Sequence, residues 1–162
     1  MGTRISEYRF VWLLVMAATV AFIWQQSTLA PAESAATSDA VGEVVIRLVG
    51  GKETAAGSFF DRFLRKIAHF TEFAVLGLES EAYLWRHRTP LLTLLQFAFG
   101  LLIAGADEFL QLFTDRGAAF TDVLIDLSGF ALAVLSLHIL LRLITLIRNH
   151  RKGGTPAANS DA

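Results

Sequence analysis

Three short polar clusters interrupt an otherwise apolar chain, and their residue types and spacing can support chemistry. The first is Arg65-Lys66-Ile67-Ala68-His69-Phe70-Thr71-Glu72-Phe73. On a helix, Lys66, His69 and Phe73 stand at i, i+3 and i+7 and share a face. Glu72 lies one turn beyond His69 and within its reach. An imidazole beside a carboxylate makes a general acid–base pair, with the carboxylate orienting the ring. The second cluster is Asp107-Glu108-Phe109-Leu110-Gln111-Leu112-Phe113. Asp107 and Gln111 share a face, and Glu108 points about 100° away. The third runs from Asp122 to Asp126, with Gly129 on the same face.

Each cluster also has a plainer reading. Lys66 can anchor a helix at a membrane interface by extending its ammonium toward water. His69 and Glu72 can be a hydrogen-bonded pair that only holds helices together. Thr121 or Asp122 can N-cap a helix, where the macrodipole favours an acid. Capping does not reach Asp126, a full turn inside, which is expected to face the bundle. Asp107 and Glu108 close a helix, where the macrodipole opposes a negative charge, so they need a compensating cation, a proton or a function. Arg116, in the following turn, is the expected compensator. Glu79 and Glu81 are read as exposed, or as paired with Arg86 or Arg88.

The elements that position these clusters are membrane spans. Of the 162 residues, 54% are hydrophobic, above the range of about 45–50% for soluble domains. The apolar runs are too long for strands and lack period-two alternation. Four spans are expected: Phe10 to Trp24 with its flanks, one from near Lys66 that ends before Arg86, Pro90 to Phe113, and Asp122 to about Ile147. Each approaches the ~20 residues that cross a bilayer. The second is the least apolar. Gly100 with Ala104, and Gly129 with Ala133, are small-xxx-small pairs that let helices approach closely. A net charge of −1 gives no reason to expect nucleic-acid binding. The absence of cysteine excludes disulfides, thiolate metal sites and a Cys nucleophile.

The fold class is therefore all-α: an integral membrane four-helix bundle with a short amphipathic helix in its first outside loop. That helix is expected at Val41–Val49. The chain divides into a first transmembrane helix (1–30), an extracytoplasmic loop (31–60), a three-helix core (61–147) and a cytoplasmic tail (148–162). Arg4 and Arg9, then Arg86 and Arg88, then Arg142, Arg148, Arg151 and Lys152 fall on one side of four spans. The positive-inside rule makes that side cytoplasmic, with both termini inside. Arg62, Arg65 and Lys66 run against the rule. A cleaved signal peptide is the alternative reading of the N-terminus. On either reading, the start of helix two, the end of helix three and the start of helix four meet at one membrane face. His69, Glu72, Asp107, Glu108, Gln111, Arg116, Asp122 and Asp126 can therefore converge on one pocket.

In this order and spacing, the three clusters resemble the VanZ-like family of bacterial membrane proteins over about residues 61 to 140. The resemblance rests on the first cluster with Leu76-Gly77, on Asp107-Glu108 with Gln111 and Phe113, then on Arg116, and on Asp122-Val123-Leu124-Ile125-Asp126 with Gly129. Phe73 replaces a usual Tyr, Leu110 stands where a His is frequent, and the Thr114-Asp115 turn lacks a common Pro-Gly. The resemblance implies a multispanning protein of the bacterial inner membrane and cell envelope. Its namesake is associated with resistance to the glycopeptide teicoplanin. The partners so implied are the lipid bilayer and an envelope precursor or a glycopeptide. Some relatives carry a phosphotransbutyrylase label, which no Gly-rich phosphate loop here supports.

Two functions follow. One is an envelope protein that affects glycopeptide susceptibility. The other is a membrane enzyme acting on a lipid-linked or envelope substrate. In the second, His69, Glu72, Asp107 and Asp126 form the catalytic group, while Lys66, Glu108, Gln111, Arg116 and Asp122 bind substrate. No cofactor and no metal are expected. A metal version of the site would recruit His69 with Asp107, Glu108 or Asp126, a donor set suited to Mg or Mn rather than Zn. A transporter is disfavoured, since no ionisable stripe crosses the middle of the bundle.

Overall fold

The computed structural model describes residues 2–28, 55–113 and 119–153. The amphipathic segment expected at Val41–Val49 and the Arg116 turn lie outside the described residues. Four α-helices follow in order: α1 (Gly2–Thr28), α2 (Ala55–Leu84), α3 (Pro90–Gln111) and α4 (Phe120–Gly153). No strand occurs among the described residues, as the long apolar runs predict.

Local sequence explains how α2 turns into α3. After Leu84 the chain tightens into a 3₁₀ turn, Trp85–His87. Thr89 is extended and accepts a hydrogen bond from the Leu92 backbone N–H at 3.2 Å, with Pro90 directly after it. A Thr N-cap followed by Pro at the first helical position satisfies one orphan donor and removes another. A connection this short forces α2 and α3 to run antiparallel.

All four helices contribute to one core: Ile23 from α1, Phe73 and Leu76 from α2, Ile103 and Ala104 from α3, and Phe130 and Val134 from α4. The closest approach is between α2 and α4, where glycines replace side chains. A Cβ at Gly129 would lie 2.3 Å from the Phe70 carbonyl oxygen, and one at Gly77 would lie 2.5 Å from that of Phe130. On α3, a Cβ at Gly100 would meet the Phe130 ring at 2.8 Å. Gly77 thus joins the small residues noted in the sequence.

The outer surface is apolar. Arg9–Thr28, Pro90–Gln111 and Phe120–Arg151 are each long and apolar enough to cross a membrane. α2 carries too many charged residues to qualify by composition alone. Its burial pattern accounts for this: Ser80 and Glu81 point inward, while Phe63, Ile67, Val75 and Leu78 are exposed. A helix that hides its polar groups and displays its apolar ones is built for hydrocarbon. The protein is a multi-pass membrane protein with a four-helix bundle.

Candidate functional site

The site is assembled from the ends of helices that meet at one face of the bundle. α3 contributes Asp107, which is fully buried. Its Oδ1 accepts from the Ser27 hydroxyl at 2.5 Å, and its Oδ2 accepts from Gln111 Nε2 at 3.0 Å. Ser27 lies at the end of α1 and is itself fully buried. His69 of α2 brings Nδ1 to 3.6 Å from Asp107 Oδ2 and 3.9 Å from Asp126 Oδ1. Asp126 of α4 is 1% exposed, and neither of its carboxylate oxygens has a hydrogen-bond partner among the described residues. Gly129 lets this happen: with no side chain there, α4 settles on the backbone at Phe70, next to His69.

Nearer the surface, Lys66 donates to Asp122 at 2.5 Å. Both side chains are partly exposed, so this pair contributes about 0–1 kcal/mol. Asp122 does not cap α4. The helix begins two residues earlier, at Phe120, which places Asp122 in the first turn, where the macrodipole still favours it. Glu108 accepts from the backbone N–H of Ala119, tying the end of α3 to the start of α4. That bond answers part of the question raised by an acid at a helix C-terminus: its partner is a main-chain donor.

A cavity of about 220 Å³ opens over these groups. Arg62, Arg65 and Lys66 line it together with His69, Gln111, Asp122 and Asp126. Of the nine residues singled out in the sequence, His69, Asp126, Lys66, Gln111 and Asp122 therefore line this cavity, with Asp107 behind His69 and Glu108 at the adjoining helix junction. Glu72 lines a separate apolar groove with Val15, Ala18, Thr19, Phe22 and Val75. Arg116 lies outside the described residues. Ser27 lies outside the three sequence clusters. The only sequence signal for it was the polar Gln25-Gln26-Ser27 ending of the first apolar run.

A family model described as VanZ/LLP1 matches residues 10–142. The chain belongs to the VanZ/LLP1 family. The match takes in α1, which the sequence motifs alone left outside their span, and α1 supplies the Ser27 that holds Asp107. No curated protein and no solved structure matches the chain. Within the VanZ/LLP1 chain, Phe73 fills the core with its ring fully buried. The buried space beside it is occupied by other apolar side chains of that core.

A second polar cluster lies at the other end of the bundle. Glu81 is fully buried and accepts from Arg88. His138 Nδ1 of α4 lies 3.0 Å from the same oxygen, and Gln96 Nε2 of α3 lies 3.3 Å from the other. Gln96 also donates to Ser80 at 3.0 Å, and the Trp85 ring meets His138 edge-on at 5.4 Å. The expected pairing of Glu81 with Arg88 is present, but Glu81 is not exposed. His138 falls outside the three sequence clusters, although a lone imidazole within an apolar span is a signal in its own right. Glu79 accepts from Thr19 of α1 at 2.9 Å. These contacts tie α2 to α1, α3 and α4.

Proposed function

We propose that this VanZ/LLP1 protein resides in the bacterial inner membrane with both termini cytoplasmic, and that its polar cavity opens at the extracytoplasmic face. There it receives the anionic head group of a lipid-linked envelope intermediate. The observation that carries this reading is the cavity's layered chemistry. Arg62, Arg65 and Lys66 line one 220 Å³ space with His69 and Asp126, and the buried Asp107 stands directly behind His69. Guanidinium and ammonium groups bind phosphate-type anions through charge-assisted hydrogen bonds. A bilayer delivers such a head group at this depth while its acyl chain stays in hydrocarbon.

Below the cations, His69 is the group able to carry a proton to or from the bound head group. Asp107, fixed by Ser27 and Gln111, keeps the ring oriented. Asp126 faces the same ring from the opposite helix. Gln111 and Asp122 line the cavity as polar contacts for the ligand. The orientation is supported by the Lys and Arg residues that flank the other end of the bundle.

Glycopeptide susceptibility is the cellular phenotype this reading connects to, through the state or accessibility of envelope precursors. The experiment substitutes His69→Gln and Asp126→Asn separately and confirms membrane insertion. It then measures susceptibility to a teicoplanin-type glycopeptide together with lipid-linked precursor pools. Changed precursor chemistry supports the enzyme. Changed susceptibility with constant precursors supports a binding protein. Unchanged values for both measurements in well-inserted variants refute the head-group site.

A further inference from the structure

We propose that His69, Asp107 and Asp126 form a binding site for a divalent cation of the Mg²⁺/Mn²⁺ class at the floor of the cavity. Each residue offers one donor atom, and the three donors lie within 4.8 Å of one another. They come from three different helices, so the fold, rather than a local motif, brings them together. One neutral imidazole and two carboxylates, once both are deprotonated on metal binding, carry a charge of −2, which a divalent cation cancels.

The hydrogen bonding divides the three ligands in an informative way. Asp107 is held on both oxygens, by Ser27 and by Gln111. Outer hydrogen bonds of this kind orient the carboxylates that ligate metals. Each carboxylate oxygen has two lone pairs, so Asp107 Oδ2 can accept from Gln111 and still ligate. Asp126 is the opposite case. It is 1% exposed, and both its oxygens lack a hydrogen-bond partner among the described residues. Burying a carboxylate without a donor is costly. A cation against Asp126 supplies the missing partner.

The spacing fits after a small closure. A Mg²⁺ or Mn²⁺ ion about 2.1 Å from each ligand puts neighbouring ligands ~3.0 Å apart. His69 Nδ1 lies 3.6 Å from Asp107 and 3.9 Å from Asp126. The two pairs with His69 must close by less than about 1 Å and the Asp107–Asp126 pair, within 4.8 Å, by at most about 1.8 Å, and Asp126, which no hydrogen bond among the described residues restrains, is the side chain that makes the adjustment. Three protein ligands leave the remaining octahedral positions to oxygens of water or of an anion entering from the cationic mouth. Two carboxylates with a single imidazole suit a hard cation better than Zn²⁺.

With a cation bound, His69 is a ligand rather than the proton carrier of the head-group reading, and the cation site can be tested without any lipid. The full chain is purified in detergent, stripped with a chelator and titrated with Mn²⁺ alone, while the electron paramagnetic resonance signal of free Mn²⁺ is followed. A single Mn²⁺ is expected to be taken up per chain, and its bound spectrum is expected to show coupling to a histidine nitrogen. Asp126→Asn and His69→Gln are each expected to weaken uptake at least about tenfold, and Ser27→Ala by a smaller factor. The nitrogen coupling is lost in His69→Gln. Elution as a single species shows that each variant is folded. Wild-type protein that leaves the free Mn²⁺ signal unchanged overturns the proposal, and so does a bound spectrum without nitrogen coupling. Asp126→Asn protein that holds Mn²⁺ as tightly as wild type also overturns it. Mn²⁺ uptake with no response in the cellular experiment keeps the cation site and removes the head-group function.

Discussion

Replacing Gly129 with alanine adds one methyl group, and its effect can be worked out from the α2–α4 seam. The new Cβ would lie 2.3 Å from the Phe70 carbonyl oxygen and 3.1–3.2 Å from the Phe70 C and Cα atoms. An ordinary carbon–oxygen contact is about 3.3 Å or longer, so the helices must separate by ~1 Å at this point. The obstruction is backbone and cannot rotate away. Overpacking of this kind costs about 1–3 kcal/mol, and the upper end applies here. Alanine returns up to ~1 kcal/mol through its better helix propensity, leaving a net loss of about 2 kcal/mol. Gly105→Ala is the matched control, because nothing lies within 4 Å of a Cβ there. It keeps the propensity gain and has no clash, so its effect is neutral or stabilising. Thermal melting of both variants in detergent is expected to move them in opposite directions from wild type. Gly129→Ala should also weaken Mn²⁺ uptake, since the same separation carries His69 away from Asp126. Equal melting temperatures for the two variants would refute the close-approach argument.

Two further outcomes are expected. Glu81→Ala removes the acceptor shared by Arg88, His138 and Gln96 in a fully buried position. It should destabilise the bundle by about 2–4 kcal/mol, read as a lowered melting temperature, while leaving Mn²⁺ uptake by folded protein unchanged because the donors lie at the other end. A topology reporter fused after Lys152 should report a cytoplasmic C-terminus. An extracytoplasmic signal would move the cavity to the inner face and rule out an outer-leaflet substrate.

Several features of the site follow from periodicity alone. Antiparallel spans put the start of one helix beside the end of the next, so the clusters around His69, Asp107 and Asp126 had to share a membrane face. Helical spacing also placed Asp126 inward, with Gly129 beside it. These are properties of chain order and of 3.6 residues per turn, and they need no knowledge of neighbouring helices. The choice of partner for His69 does need it. Glu72 is the nearest acid along the sequence; packing adds Asp107 and Asp126 beside His69, and Glu72 also lines a groove shared with α1.

Rotation of a helix about its own axis decides such pairings, and packing sets that rotation. Gly77 and Gly129 seat α4 directly on the backbone of α2, which turns Asp126 toward His69 and His138 toward Glu81. Ser27 reaches Asp107 because α1 ends at the same face, a contact across 80 residues that no local pattern encodes. Sequence by itself determined that this is a bundle of membrane-spanning helices in which three of the polar clusters share one end, since hydrophobicity and periodicity are local properties. Tertiary structure decided which carboxylates meet the imidazole and which one is left without a donor, since those contacts arise only when helices distant in sequence are packed together.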